Sequence, residues 1–79
     1  MKDTLSFIVT SIVEDPDSVK IDEDMSDPTT VHLIISVAKD DMGKIIGKGG
    51  KVIRAIRSVM KIPAIREDKR IYITIASEE

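Results

Sequence analysis

Apolar side chains return at Leu5, Ile8, Val9, Ile12 and Val13, the spacing of one helix face, and Asp15-Pro16-Asp17 ends the run. Asp3 is the expected N-cap of this first helix. The period then shortens. Val19 and Ile21, and more fully Val31, Leu33, Ile35 and Val37, alternate with polar residues, as strands with one buried face do. The acidic stretch Asp22 to Pro28 reads as the turn between these two strands. Asp40 or Asp41 is placed to cap a short helix running to about Ile46, a longer helix is expected over about Lys51 to Met60, and Pro63 is expected to close it. Ile71, Ile73 and Ile75, alternating with Tyr72 and Thr74, give a third strand. The order is helix, strand, strand, short helix, glycine loop, helix, strand. Residues 1–79 thus read as a single α+β domain in which helices cover one face of a three-stranded sheet.

Length adds a constraint. A chain of 79 residues supports one small core, burying about 60 % of the surface its unfolded form exposes. It holds no cysteine, so neither disulfides nor thiolate metal ligands contribute, a usage suited to a reducing compartment. Ser6, Thr10 and Ser11 interrupt the apolar run of the first helix, and acids follow where a leader peptide needs small residues. No stretch is long enough to span a membrane.

Charge changes the picture more. The net charge is −2, yet residues 1–38 carry two lysines against eight acids and residues 39–70 carry ten basic residues against four acids. Between Met42 and Arg66 there are seven Lys or Arg and no acid, which points to an anionic partner for the second half of the chain.

Three of the four glycines, Gly47, Gly49 and Gly50, stand in that basic region, within "IIGKGGKVIRAI". A phosphate-binding P-loop starting at Gly43 fails because Lys48 stands where glycine is needed, and a dinucleotide fingerprint from Gly47 fails at Val52. What remains is a Gly-x-x-Gly turn between two helices. Glycines there let a sugar-phosphate backbone approach the main chain, the amides opening the next helix favour phosphate, and Lys48 adds a mobile charge. On a helical projection Arg54, Arg57 and Lys61 fall on one flank of the long helix, with Ala55, Val59, Val52, Ile56, Met60 and Ile53 on another, which is expected to be buried. Of Ile45 and Ile46, one is expected to line a groove walled by the short helix and a strand. Phe7 is expected in the core or at a subunit contact, and Gly43 is expected to let the short helix pack closely.

Other chemistry finds little footing. His32 has no Cys or second His beside it, and the acidic turn lacks the glycine and the bidentate glutamate of a calcium loop. No paired carboxylates or nucleophile–base set flanks the glycines, so neither a catalytic residue nor a metal or cofactor is assigned.

The segment resembles the signature of a KH domain, and a helix and two strands before the loop with a helix and strand after it match the type II order, α-β-β-α-α-β. "EDPDSV", "DDMGKIIGKGG", "AIR" and "DKRIYITI" are similar to stretches of short bacterial single-KH proteins of the KhpA type. The resemblance implies a cytoplasmic, non-enzymatic binder of single-stranded RNA, a post-transcriptional regulator or RNA chaperone. It implies pairing with a second copy or with a larger KhpB-like protein. Carried onto this chain, the RNA-binding residues are Lys44, Ile46, Gly47, Lys48, Gly49, Gly50, Lys51, Arg54 and Arg57, and the acidic turn matches a variable loop beside the groove. The alternative is a KH-fold module that pairs with protein and has little RNA affinity of its own.

Overall fold

A computed structural model describes residues 2–76, so the terminal acids Glu78 and Glu79 lie outside the described residues. Three helices, α1 (Lys2–Ile12), α2 (Met42–Ile46) and α3 (Lys51–Arg66), lie with three strands, β1 (Lys20–Asp27), β2 (Thr30–Ser36) and β3 (Arg70–Ile75). The order α-β-β-α-α-β is the type II KH arrangement expected from the sequence. β2 is central, antiparallel to β1 and parallel to β3.

The alternation in β2 decides the core. Val31, Leu33 and Ile35 are fully buried and meet Leu5 and Val9 of α1, Ile45 of α2, Ile53, Ile56 and Met60 of α3 and Ile73 of β3. Most of the apolar positions that periodicity promised are buried, but Ala55 and Val59, expected on the buried flank of α3, are exposed, Val59 by 49 %. Burial of each large side chain is worth about 1.5–3 kcal/mol. No described helix is long and apolar enough to cross a membrane.

Several details depart from the sequence reading. The acidic stretch is not a turn but most of β1: Asp22, Glu23 and Asp24 pair with Ile34, Leu33 and His32, and only Pro28 and Thr29 turn the chain. Aspartates disfavour strands, but here their carboxylates take local amides. Asp24 accepts from the Ser26 amide at 3.0 Å, within the irregularity between Asp24 and Asp27, and Asp27 accepts from the Thr29 amide at 2.9 Å. That bond, with a second from the Thr29 hydroxyl, holds the exposed Asp27 carboxyl below its ordinary pKa.

Pro63 does not end α3 either. The helix runs one turn further to Arg66, because Ala64 is buried and because Lys69 N–H reaches the Ala64 carbonyl at 2.9 Å while Asp68 N–H reaches that of Ile65 at 3.0 Å. Asp68, at φ 56°, takes the left-handed position usually given to glycine in this type of helix ending. Asp3 lies inside the first turn of α1 rather than capping it.

Asp41 precedes α2 but its carboxylate caps nothing in that helix. It is 3 % exposed, and its two oxygens accept from the amides of Glu14 and Asp15, each at 3.1 Å, tying the exit of α1 to the entry of α2. Phe7 stays out of the core at 75 % exposure, and a Cβ at Gly43 would meet nothing within 4 Å, so close packing is not that glycine's role.

Candidate nucleic-acid interface

The Gly-x-x-Gly turn is built from positive φ angles. Gly47 stands at φ 75°, ψ 170°, a region open to glycine almost alone, and a Cβ there would lie 2.7 Å from the Val52 backbone nitrogen. Gly49 and Gly50 are left-handed, at φ 64° and 78°, with open space where a Cβ would be. The sequence therefore supplies glycine at Gly47 for both angle and space, and at the next two for angle alone.

Hydrogen bonds set which way the turn faces. Gly50 N–H donates to the Gly47 carbonyl at 3.1 Å and Lys51 N–H donates to the Lys48 carbonyl. In a trans peptide the carbonyl and the following N–H point opposite ways. With the Gly47 and Lys48 carbonyls turned into the bend, the amides of Lys48 and Gly49 point out of it. No side chain caps the start of α3, so the positive end of its dipole is left to favour an anion at the turn. Lys48 and Lys51, both exposed, complete a small cationic surface suited to a phosphodiester.

From this turn α3 runs back along β3, forming a cleft of about 510 Å³ lined by Arg54, Arg57, Ser58 and Lys61 of the helix and by Ile71 to Thr74 of the strand. Three cations and no acid line it. Its floor is apolar and Tyr72 stands at its rim, half exposed. Arg57 donates from Nε to the Ile73 carbonyl at 3.1 Å, bridging the two walls. Across β3, His32 and Thr74 share a hydrogen bond of 3.1 Å.

The residues expected from sequence are thus divided. Gly47, Lys48, Gly49, Gly50, Lys51 and Arg54 come together at the turn, and Arg57 lies in the cleft beside it. Lys44 is turned toward the end of α1, where its ammonium meets Glu14 at 2.7 Å and Asp41 at 3.9 Å. Ile45 belongs to the core; Ile46 is exposed at the end of α2 but does not line the cleft. The cleft described above is walled by α3 and β3 and does not include the short helix. The acidic segment is two strands away, on the opposite edge of the sheet. Ser58, Lys61 and Tyr72 were not among the expected site residues; the helical projection marks Lys61, whereas only the parallel pairing of β3 brings Tyr72 there.

A family model described as the KH domain of KhpA and KhpB matches residues 2–75. The chain belongs to the KhpA/KhpB KH-domain family. Within that family it is 41 % identical to the RNA-binding protein KhpA of Clostridium acetobutylicum, over 95 % of this chain and 99 % of that one. It is 39 % identical to RNA-binding protein KhpA of Chlamydia pneumoniae over the whole of both chains. Among solved structures, Aquifex aeolicus Era bound to GDP and AlF4− aligns with 98 % of this chain at a TM-score of 0.57 and 15 % identity. Era in complex with MgGDPNP and a segment of 16S ribosomal RNA aligns with 98 % at 0.52 and 16 %. The KhpA/KhpB-type chain spans about a third of those Era chains, 31 % and 30 %, and the likeness is one of fold.

Proposed function

We propose that this protein is a non-enzymatic binder of single-stranded RNA, acting in post-transcriptional regulation or as an RNA chaperone. The observation that carries the reading is the Gly47–Gly50 turn, whose outward amides and lysines open onto a cleft lined by cations without an acid. Phosphates sit on the amides of Lys48 and Gly49 and on the Lys48 and Lys51 ammonium groups. The bases lie along the cleft between α3 and β3, over Ile71 and Ile73 and under Tyr72. Arg54 and Arg57 sustain the positive field between the two, and Lys44 and Ile46 flank the turn from α2. The names of the KhpA relatives, RNA-binding proteins of nearly equal length, support the same reading.

Three or four phosphate contacts on a single strand give a log–log salt slope of about −2 to −3, so one module binds weakly. Pairing raises the effective affinity. Val59, Ile62 and Ile65 of α3 are exposed, Ile62 by 57 %, outside the lining of the cleft, and this supports pairing with a second copy or with a KhpB-type partner. The same surface is what favours the second reading, a pairing module with little RNA affinity of its own.

Fluorescence anisotropy with a labelled pool of short single-stranded RNAs separates the two readings. The wild-type chain is expected to bind and to release with salt. A Lys48→Asp, Gly49→Asp double variant, in which aspartate tolerates the left-handed angle, is expected to stay folded and lose binding. Sedimentation of wild-type and Ile62→Asp protein reads the pairing independently. A wild-type chain that sediments as a dimer yet binds no RNA would favour the second reading.

A further inference from the structure

Arg54 ends on the chain's own backbone. Its Nη2 donates to the Gly49 carbonyl at 2.8 Å and its Nε to the Gly50 carbonyl at 3.3 Å, so a residue in the first turn of α3 reaches back around the loop that precedes it. Those two glycines need such help. Neither would have a Cβ in contact with anything, both hold left-handed angles, and a Gly-Gly pair is the most mobile dipeptide a chain can offer. Besides Arg54, the loop is closed by the Gly50–Gly47 and Lys51–Lys48 backbone bonds.

We propose that Arg54 is a positioning residue that shapes the loop for RNA rather than a phosphate contact. The inference rests on the RNA-backbone reading above and divides its basic residues: the exposed lysines meet phosphate, while Arg54 meets the protein. The brace does two things. It holds the Gly49 and Gly50 carbonyls on the α3 side, which keeps the outward amides of Lys48 and Gly49 in place. It also covers two oxygens whose partial negative charge would otherwise repel an approaching phosphate. A guanidinium suits the task because its donors form a rigid planar fork that spans two acceptors, whereas lysine offers the same charge as a single point. Charge and brace can therefore be separated by one substitution.

The test compares wild-type protein with Arg54→Lys, Arg54→Gln and Lys51→Gln. Arg54 is exposed and all the replacements are good helix formers, so each variant keeps the fold. In RNA-free protein, both Arg54 variants are expected to shift the amide signals of Gly49 and Gly50 and to speed hydrogen exchange at Gly50 and Lys51, whose N–H groups close the loop. Both are expected to weaken RNA about tenfold, the worth of two ordinary hydrogen bonds, with the salt slope nearly unchanged. Lys51→Gln is expected to reduce the slope by about 0.7, one phosphate contact, and to leave the Gly49 and Gly50 signals in place. The proposal is overturned if Arg54→Lys retains wild-type affinity and loop exchange, or if Arg54→Gln removes one phosphate contact from the slope with the loop unmoved. Should the wild-type chain bind no RNA, the exchange data still decide: unmoved loop amides in both Arg54 variants sink the brace, whereas altered ones leave it standing and fault only the RNA reading.

Discussion

β1 and β3 flank the same central strand and pair with it over five or six residues each, but they face different surroundings. Along β1 only Ile21 is buried; Asp22, Glu23, Asp24 and Asp27 are all exposed. β3 turns Ile71, Ile73 and Ile75 toward the helices, and its outer edge is overhung by Arg54, Arg57 and Lys61 of α3. The pairing of both strands is dictated by the apolar alternation of β2. What surrounds each edge is dictated by what packs across it, and α3 covers one side alone. The two edges lie two strand spacings apart, about 10 Å, close to one Debye length at physiological salt. The sheet therefore shows a polyanion one attractive edge and one repellent edge, and a net charge of −2 describes neither.

The comparison can be broken most severely at its basic end. Gly47→Ala places a Cβ against Val52 at a backbone angle that alanine avoids, and is expected to cost about 2–3 kcal/mol in urea denaturation and to abolish RNA binding. Reversing charge without touching the turn's geometry comes next. Lys48→Glu with Lys61→Glu, both on exposed positions, should leave the denaturation midpoint in place and weaken RNA by tenfold or more, read by anisotropy at fixed salt. The acidic edge should answer more quietly. Asp22→Asn with Asp24→Asn is expected to tighten RNA by no more than about twofold near physiological salt, because screening already mutes charges at that distance. A larger gain would mean that RNA crosses the sheet toward β1.

The smallest effect is a pH dependence at the hairpin. The Thr29 amide and hydroxyl, with Arg70 nearby, lower the Asp27 pKa in the folded chain. A group with a depressed folded pKa adds stability above its unfolded value, about 3.8, and loses it as the pH falls through the folded one. Asp27→Asn should therefore lower stability slightly at neutral pH and flatten the decline in acid, measured by thermal unfolding across pH 2 to 6. An unchanged acid limb would assign that decline to other carboxylates.

How much of this was legible in the sequence follows from how local each signal is. The face of α1, the alternation of β2 and β3 and the glycine turn depend on neighbours within a few residues, and periodicity reveals them. β1 reads short in the sequence because its aspartates resemble turn residues, while its pairing is imposed by a partner strand and so overrides local preference. Pro63 reads as a stop because nothing local announces that buried Ala64 and left-handed Asp68 carry the helix past it. The role of Asp41 depends on amides 26 and 27 residues away in the chain. The cleft required knowing which flank of α3 turns toward β3. The Arg54 brace, by contrast, was within reach, since an arginine four and five residues after two consecutive glycines spans one helical turn back to their carbonyls.

The most direct test of the account is an NMR amide-shift titration of the full chain with short single-stranded RNAs at two salt concentrations. The account expects shifts over Lys48 to Arg57 and along Arg70 to Ile75, smaller at high salt, with Asp22 to Asp27 silent. Shifts centred on β1, or none at all in a folded protein, would contradict it.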